Sequence, residues 1–125
     1  MYKIGMLCKH FKGKNLLEKN IYRIEKLDVN GKEIDENLIT YTGEKELTSA
    51  KNLVIYSNIF QDNKLFAREY EDISSELPYE KQETYQQQIR VQPLTQIEID
   101  AINNPNFITE KTNFIKRKNT IIKKK

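Results

Sequence analysis

Residues 53–72 read LVIYSNIFQDNKLFAREYED, and the fold turns on them. From Leu53 to Phe60, β-branched and aromatic residues dominate, which favours a strand over a helix. Val54, Tyr56 and Asn58 share one face of that strand, and Leu53, Ile55, Ser57 and Ile59 share the other. Gln61-Asp62-Asn63-Lys64 supplies a polar turn, because Asp and Asn tolerate the left-handed backbone that tight turns demand. Leu65-Phe66-Ala67-Arg68 is the returning strand. Asp72 or Ser74 then caps a short helical turn that runs through Leu77 and stops at Pro78.

On the N-terminal side, residues 2–8 form a short apolar stretch leading to Gly13, a turn position that accepts positive φ. Residues 20–27, NIYRIEKL, alternate imperfectly, which suits a strand at the edge of a small barrel. Asn30-Gly31 is the strongest short hairpin signal, followed by a strand over Leu38–Thr42 and a charged loop from Gly43 to Ala50. On the C-terminal side, residues 79–88 are polar and cross the surface, and Ile89-Arg90-Val91 is a closing strand ended by Pro93. Thr95 and Glu98 form a capping-box pattern that starts a helix over about 96–103, stopped by Asn104-Pro105. The spacing of Phe107, Phe114, Ile115, Ile121 and Ile122 permits a second amphipathic helix. The expected fold is mainly β with C-terminal helices (α+β), a small antiparallel sheet or SH3-like barrel followed by two short helices. Residues 1–94 are expected to be the β-rich core domain, and 95–125 a helical extension with a basic tail. Such an extension either packs back on the core or buries its apolar stripes in self-association.

A chain of 125 residues favours one domain. Its apolar runs are too short for a transmembrane segment, and MYKIGMLCKHFKG lacks the features of a signal peptide. With a single cysteine, Cys8, no internal disulfide is possible, so a soluble cytoplasmic protein is expected. The net charge of +3 is uneven. Residues 108–125 carry seven cations against Glu110, a net +6, which leaves the other 107 residues at −3. A nucleic-acid-binding domain would place its basic patch on the folded body, so nucleic acid is not the expected partner. The lysine-rich terminus reads as a solvated end.

The chemistry-bearing residues are few. Cys8 and His10 lie two apart, on one strand face, and offer either two metal ligands or a nucleophile pair. The chain holds no other cysteine or histidine to complete a zinc site. The adjacent carboxylates Glu69, Glu71 and Asp72 read as solvated turn residues rather than a split acid–base pair. Neither a GxxxxGK[ST] loop nor a GxGxxG turn is present. A nucleotide would therefore be held by side chains, with rings stacking on a base and arginines on phosphates. Arg68, Arg90 and Arg23 are the candidate phosphate ligands, and Phe11, Tyr70 and Tyr56 the candidate rings. Arg68, at the end of an apolar strand, can fork onto a ligand or onto a nearby Glu of its own chain.

Cys8-Lys9-His10-Phe11-Lys12-Gly13, Ile21-Tyr22-Arg23-Ile24, Leu53-Val54-Ile55-Tyr56, Lys64 to Asp72 and Gln88-Ile89-Arg90 resemble a small bacterial and phage family, the domain of unknown function 1653. The resemblance covers about residues 3–92, and the chain departs from it in a longer insert between Leu27 and Asn52 and in its C-terminal segment. The size, β-core and appended helices also resemble the first type of phage Thoeris anti-defence protein. Those proteins are non-enzymatic sponges for the cyclic ADP-ribose-type signal (glycocyclic ADP-ribose) made by bacterial TIR-domain enzymes, and bind it between subunits of an oligomer. This resemblance implies a non-enzymatic protein that sequesters a nucleotide-derived immune signal for a phage or prophage in the host cytoplasm. It further implies a homo-oligomer, and the apolar stripes of the C-terminal helices are the expected contact; no cofactor, metal or membrane is expected. The alternative expectation is a protein-interaction module that binds a host protein through its β-edge and C-terminal helix.

Overall fold

The computed structural model describes residues 2–28 and 52–123. The hairpin signal at Asn30-Gly31 and the strand expected over Leu38–Thr42 lie outside the described residues. The described elements are β1 (Leu7–His10), β2 (Ile21–Asp28), β3 (Leu53–Asn58), β4 (Lys64–Glu69), α1 (Tyr70–Ile73), α2 (Tyr79–Tyr85), β5 (Val91–Pro93), α3 (Gln96–Ile102) and α4 (Pro105–Lys123). The five strands form one antiparallel sheet in the order β4-β3-β2-β1-β5, so the molecule is an α+β fold with its long helix at the C-terminus.

The sheet is open, which corrects the barrel reading. Closure needs β4 and β5 to pair, yet they are opposite edges separated by three strands. Strand β5 is three residues long and ends in Pro93, which has no N–H to donate to a further strand. The position of β2 is a second correction: it lies in the interior, between β1 and β3. Its imperfect alternation comes from a β-bulge between Ile24 and Lys26, where the register with β3 shifts.

The hairpin of β3 and β4 forms as its residues dictate. Ile55 pairs with Ala67 and Tyr56 with Phe66, and the connecting turn places Asp62 and Asn63 at φ of 57° and 49°. All six residues of β3 are buried, as befits a strand covered on both faces. One face joins Cys8, Tyr22, Ile24, Val54, Tyr56 and Val91 to Tyr2 and Ile73, with Met6, Phe66 and Tyr70 packed around them. The other face holds Leu53, Ile55, Ala67 and Leu65. Rings run across the first face from His10 to Tyr22 (6.3 Å), Tyr56 (4.5 Å) and Phe66 (5.6 Å).

The helices differ from expectation in three places. α1 begins at Tyr70 with Glu69 at its N-cap position, ahead of Asp72 and Ser74. Residues 79–85, expected only to be a polar surface crossing, form helix α2, and Pro78 precedes it rather than ending the earlier turn. The second C-terminal helix is long, at 19 residues. Its first half returns to the body: Phe107 meets Phe60 at 6.1 Å, and Lys111 is 2% exposed. Among the described residues, no helix is long and apolar enough to cross a membrane.

Candidate functional site

The end of β1 carries the densest meeting of rings and cations among the described side chains. Phe11 continues the β1–β5 pairing, its N–H donating to the Arg90 carbonyl at 2.9 Å. Its ring stacks on His10 (centroids 4.7 Å) and meets the Tyr85 ring edge-on (5.3 Å). Lys81 Nζ and the Arg90 guanidinium lie over the same ring, at 5.7 and 5.9 Å. Lys81 and Tyr85 come from one face of α2, four residues apart. Phe11 is thus 3% exposed beneath cations that are themselves at the surface.

The electrostatics are one-sided. Among the described residues, none of Lys12, Lys81 and Arg90 forms an ion pair. Burial, and then the charges of Lys12, Lys19 and Arg90, push the His10 imidazole down to about 4. His10 is therefore neutral near pH 7, and its Nδ1 accepts from the Lys12 N–H at 3.2 Å. That bond leaves the proton on Nε2. The arrangement is a buried ring beneath surplus positive charge, which favours an anion at the surface.

The backbone under the patch is tied down. Gly13 has φ of +123°, and a Cβ there would come within 2.9 Å of the Glu18 backbone, so only glycine fits the turn. Lys19, 3% exposed, donates to the Phe11 carbonyl at 2.7 Å and the Tyr85 carbonyl at 3.0 Å. Gln87, equally buried, donates from Nε2 to the carbonyls of Lys9, Ile89 and Arg90. Its Oε1 is buried with no partner among the described residues.

Of the six residues proposed from sequence, Phe11 and Arg90 come together here. Arg68 is half-buried on β4, where it donates to the Ala67 carbonyl at 2.9 Å and forms no ion pair among the described residues. Arg90 precedes β5, and β4 and β5 are opposite edges of the sheet, four strand spacings or about 19 Å apart, so Arg68 and Arg90 serve different places within one chain. Arg23 pairs with Ser57 on the opposite face of the sheet and lies 3.6 Å from Glu25. Tyr56 is 5% exposed among core rings, and Tyr70 packs against Tyr2 at 5.2 Å. His10, Lys81 and Lys19 were missed as contributors to this patch. The spacing of Lys81 and Tyr85 was a usable signal, hidden because so polar a stretch offers no apolar face to mark a helix.

Cys8 and His10 do not make a reactive pair. The thiol is fully buried, and burial pushes it up to about 12, so it holds no thiolate near neutral pH. Among the described residues, no three His, Cys, Asp or Glu side chains cluster to hold a metal ion. Two shallow cavities, of about 290 and 410 Å³, flank the turn after β3, away from the Phe11 patch. No family model, curated protein or solved structure matches the chain.

Proposed function

We propose that this protein is a non-enzymatic binding protein that sequesters a nucleotide-derived bacterial immune signal of the cyclic ADP-ribose type for a phage or prophage. The observation that carries the reading is the Phe11 ring, capped by two surface cations that no carboxylate neutralises among the described residues. A diphosphate offers Arg90 a forked acceptor and Lys81 a second one. Drawn onto the phosphates, the two side chains uncover the ring face, on which a purine then stacks. The neutral His10 contributes the Nε2 proton as a further donor without adding charge. No bond of the ligand is broken; the protein acts by holding it. The resemblance to phage sponge proteins fits this reading.

The test is retention followed by recovery. The protein is incubated with cyclic ADP-ribose and its glycocyclic isomer, desalted and heat-denatured, and the released molecules are weighed by mass spectrometry. Unchanged ligand is expected. Arg90→Ala is a clean control, because Arg90's hydrogen bonds to Phe11, Ser75 and Gln87 use only its backbone atoms. It is expected to weaken retention about tenfold, the scale of one charge-assisted contact. A cleaved product would make the protein an enzyme. No retention of either isomer ends the proposal, and capture of a host protein in its place supports an interaction module.

A further inference from the structure

The Phe11 patch is linked to the C-terminal helix by two buried lysines in series. Lys111, on α4, donates from Nζ to the carbonyls of Leu17 and Lys19. Lys19 in turn donates from its own Nζ to the carbonyls of Phe11 and Tyr85, the two rings that form the floor and wall of the patch. Both lysines are at least 97% buried, yet neither has a carboxylate partner among the described residues. An ammonium in such a place is costly unless its N–H groups are satisfied, and here each lysine has two carbonyl acceptors. Phe60 and Phe114 face the Lys111 ammonium at 6.0 and 5.7 Å, and Tyr85 faces that of Lys19 at 5.8 Å, completing each cage with a ring.

We infer that Lys111 is a positioning residue for the Phe11 site, acting through the segment 11–19 and Lys19, so that docking of α4 sets the geometry of the ligand-binding rings. The functional meaning of this relay rests on the binding role proposed above, but its existence does not. Removing the Lys111 ammonium leaves the Leu17 and Lys19 carbonyls unpaired in a buried site. The segment then shifts to reach water and carries Lys19 with it, which loosens Phe11, its stacked neighbour His10 and Tyr85. A helix displaced by self-association or by a partner would act on the site by the same route, and ligand binding would by linkage favour the docked helix.

His10 is the only histidine in the chain, so its ring-proton NMR signals report the site without ambiguity. Lys111 is not among the cations that depress His10, which are Lys12, Lys19 and Arg90. In Lys111→Met the His10 titration midpoint is expected to rise by about one pH unit as the ring becomes hydrated. Lys118→Met, which removes an exposed charge from the same helix, is expected to leave it in place. Amide protection of Ile55 and Ala67 shows that the sheet is intact in each variant. If Lys111→Met loses that protection, Lys111→Gln, which keeps one donor, is read in its place. A His10 midpoint that matches that of Lys118→Met, with the sheet protected, overturns the relay. Cyclic ADP-ribose titrated against the same proteins separates the two ideas: a wild type that binds none fails the binding role, while the His10 shift still judges the relay.

Discussion

His10 sits where protonation is opposed twice, by burial against Phe11 and Tyr22 and by the cations Lys12, Lys19 and Arg90. Its pKa falls from 6.5 to about 4, so between those values the unfolded chain binds a proton that the native protein refuses. Stability therefore drops as pH falls through that window, and this contribution is constant above and below it. His10→Gln removes the effect. Urea midpoints measured at pH 7, 6 and 5 should fall more steeply for the wild type than for the variant, and parallel curves would contradict the assignment. Phe11 and Arg90 were two of six candidates that the sequence offered, and nothing in it paired them; the fold puts the guanidinium over the ring. That His10 belongs with them was not legible either: in sequence it pairs with Cys8, and only the packing turns its ring onto Phe11.

Helix α3 has seven residues, too few to be stable alone, and is held by one carboxylate with two tasks. Glu98 Oε1 accepts from the Thr95 N–H at 3.0 Å, while Oε2 meets Lys9 Nζ at 2.5 Å. Burial pushes the Glu98 carboxyl upward, but the hydrogen bonds from Lys9 and Thr95 outweigh it and hold the group below its ordinary value. Thr95→Ala removes the cap from the Glu98 N–H and is expected to cost about 1 kcal/mol. Glu98→Ala is expected to cost more, because Lys9 is 8% exposed and loses its counter-ion. Chemical denaturation gives the order, and a Thr95 variant less stable than the Glu98 variant would refute it. The capping box was readable from four residues, because its bonds are local. The Lys9 pair joins positions 89 residues apart, and nothing local announces it.

Across the whole molecule, the C-terminal helices both clamp the core and present apolar surface. Lys111 and Phe107 turn inward, while Ile97 is 82% and Ile108 43% exposed. Exposed isoleucines on consecutive helices suit a contact with a second copy, in line with the oligomer that the sponge resemblance implies. Sedimentation is expected to give a species larger than one chain, reduced to a monomer by the double substitution Ile97→Glu and Ile108→Glu. A wild-type monomer at micromolar concentration would contradict this expectation.

Short-range chemistry was enough to identify the β3–β4 hairpin, the Gly13 turn, the capping box and the α+β class. Each depends on side-chain alternation or on a backbone angle set within a few residues. The open sheet, the interior position of β2 and the grouping of Phe11 with Tyr85, Lys81 and Arg90 depend instead on which distant segments share an edge or a face. The lysine relay is the extreme case. Lys111 looks like one more charge on a basic helix, and becomes a buried staple because the fold brings two carbonyls from residues 17 and 19 to its ammonium. Burial and backbone hydrogen bonding at long sequence separation are properties of the folded chain, and they bring rings and cations scattered along the sequence into one patch.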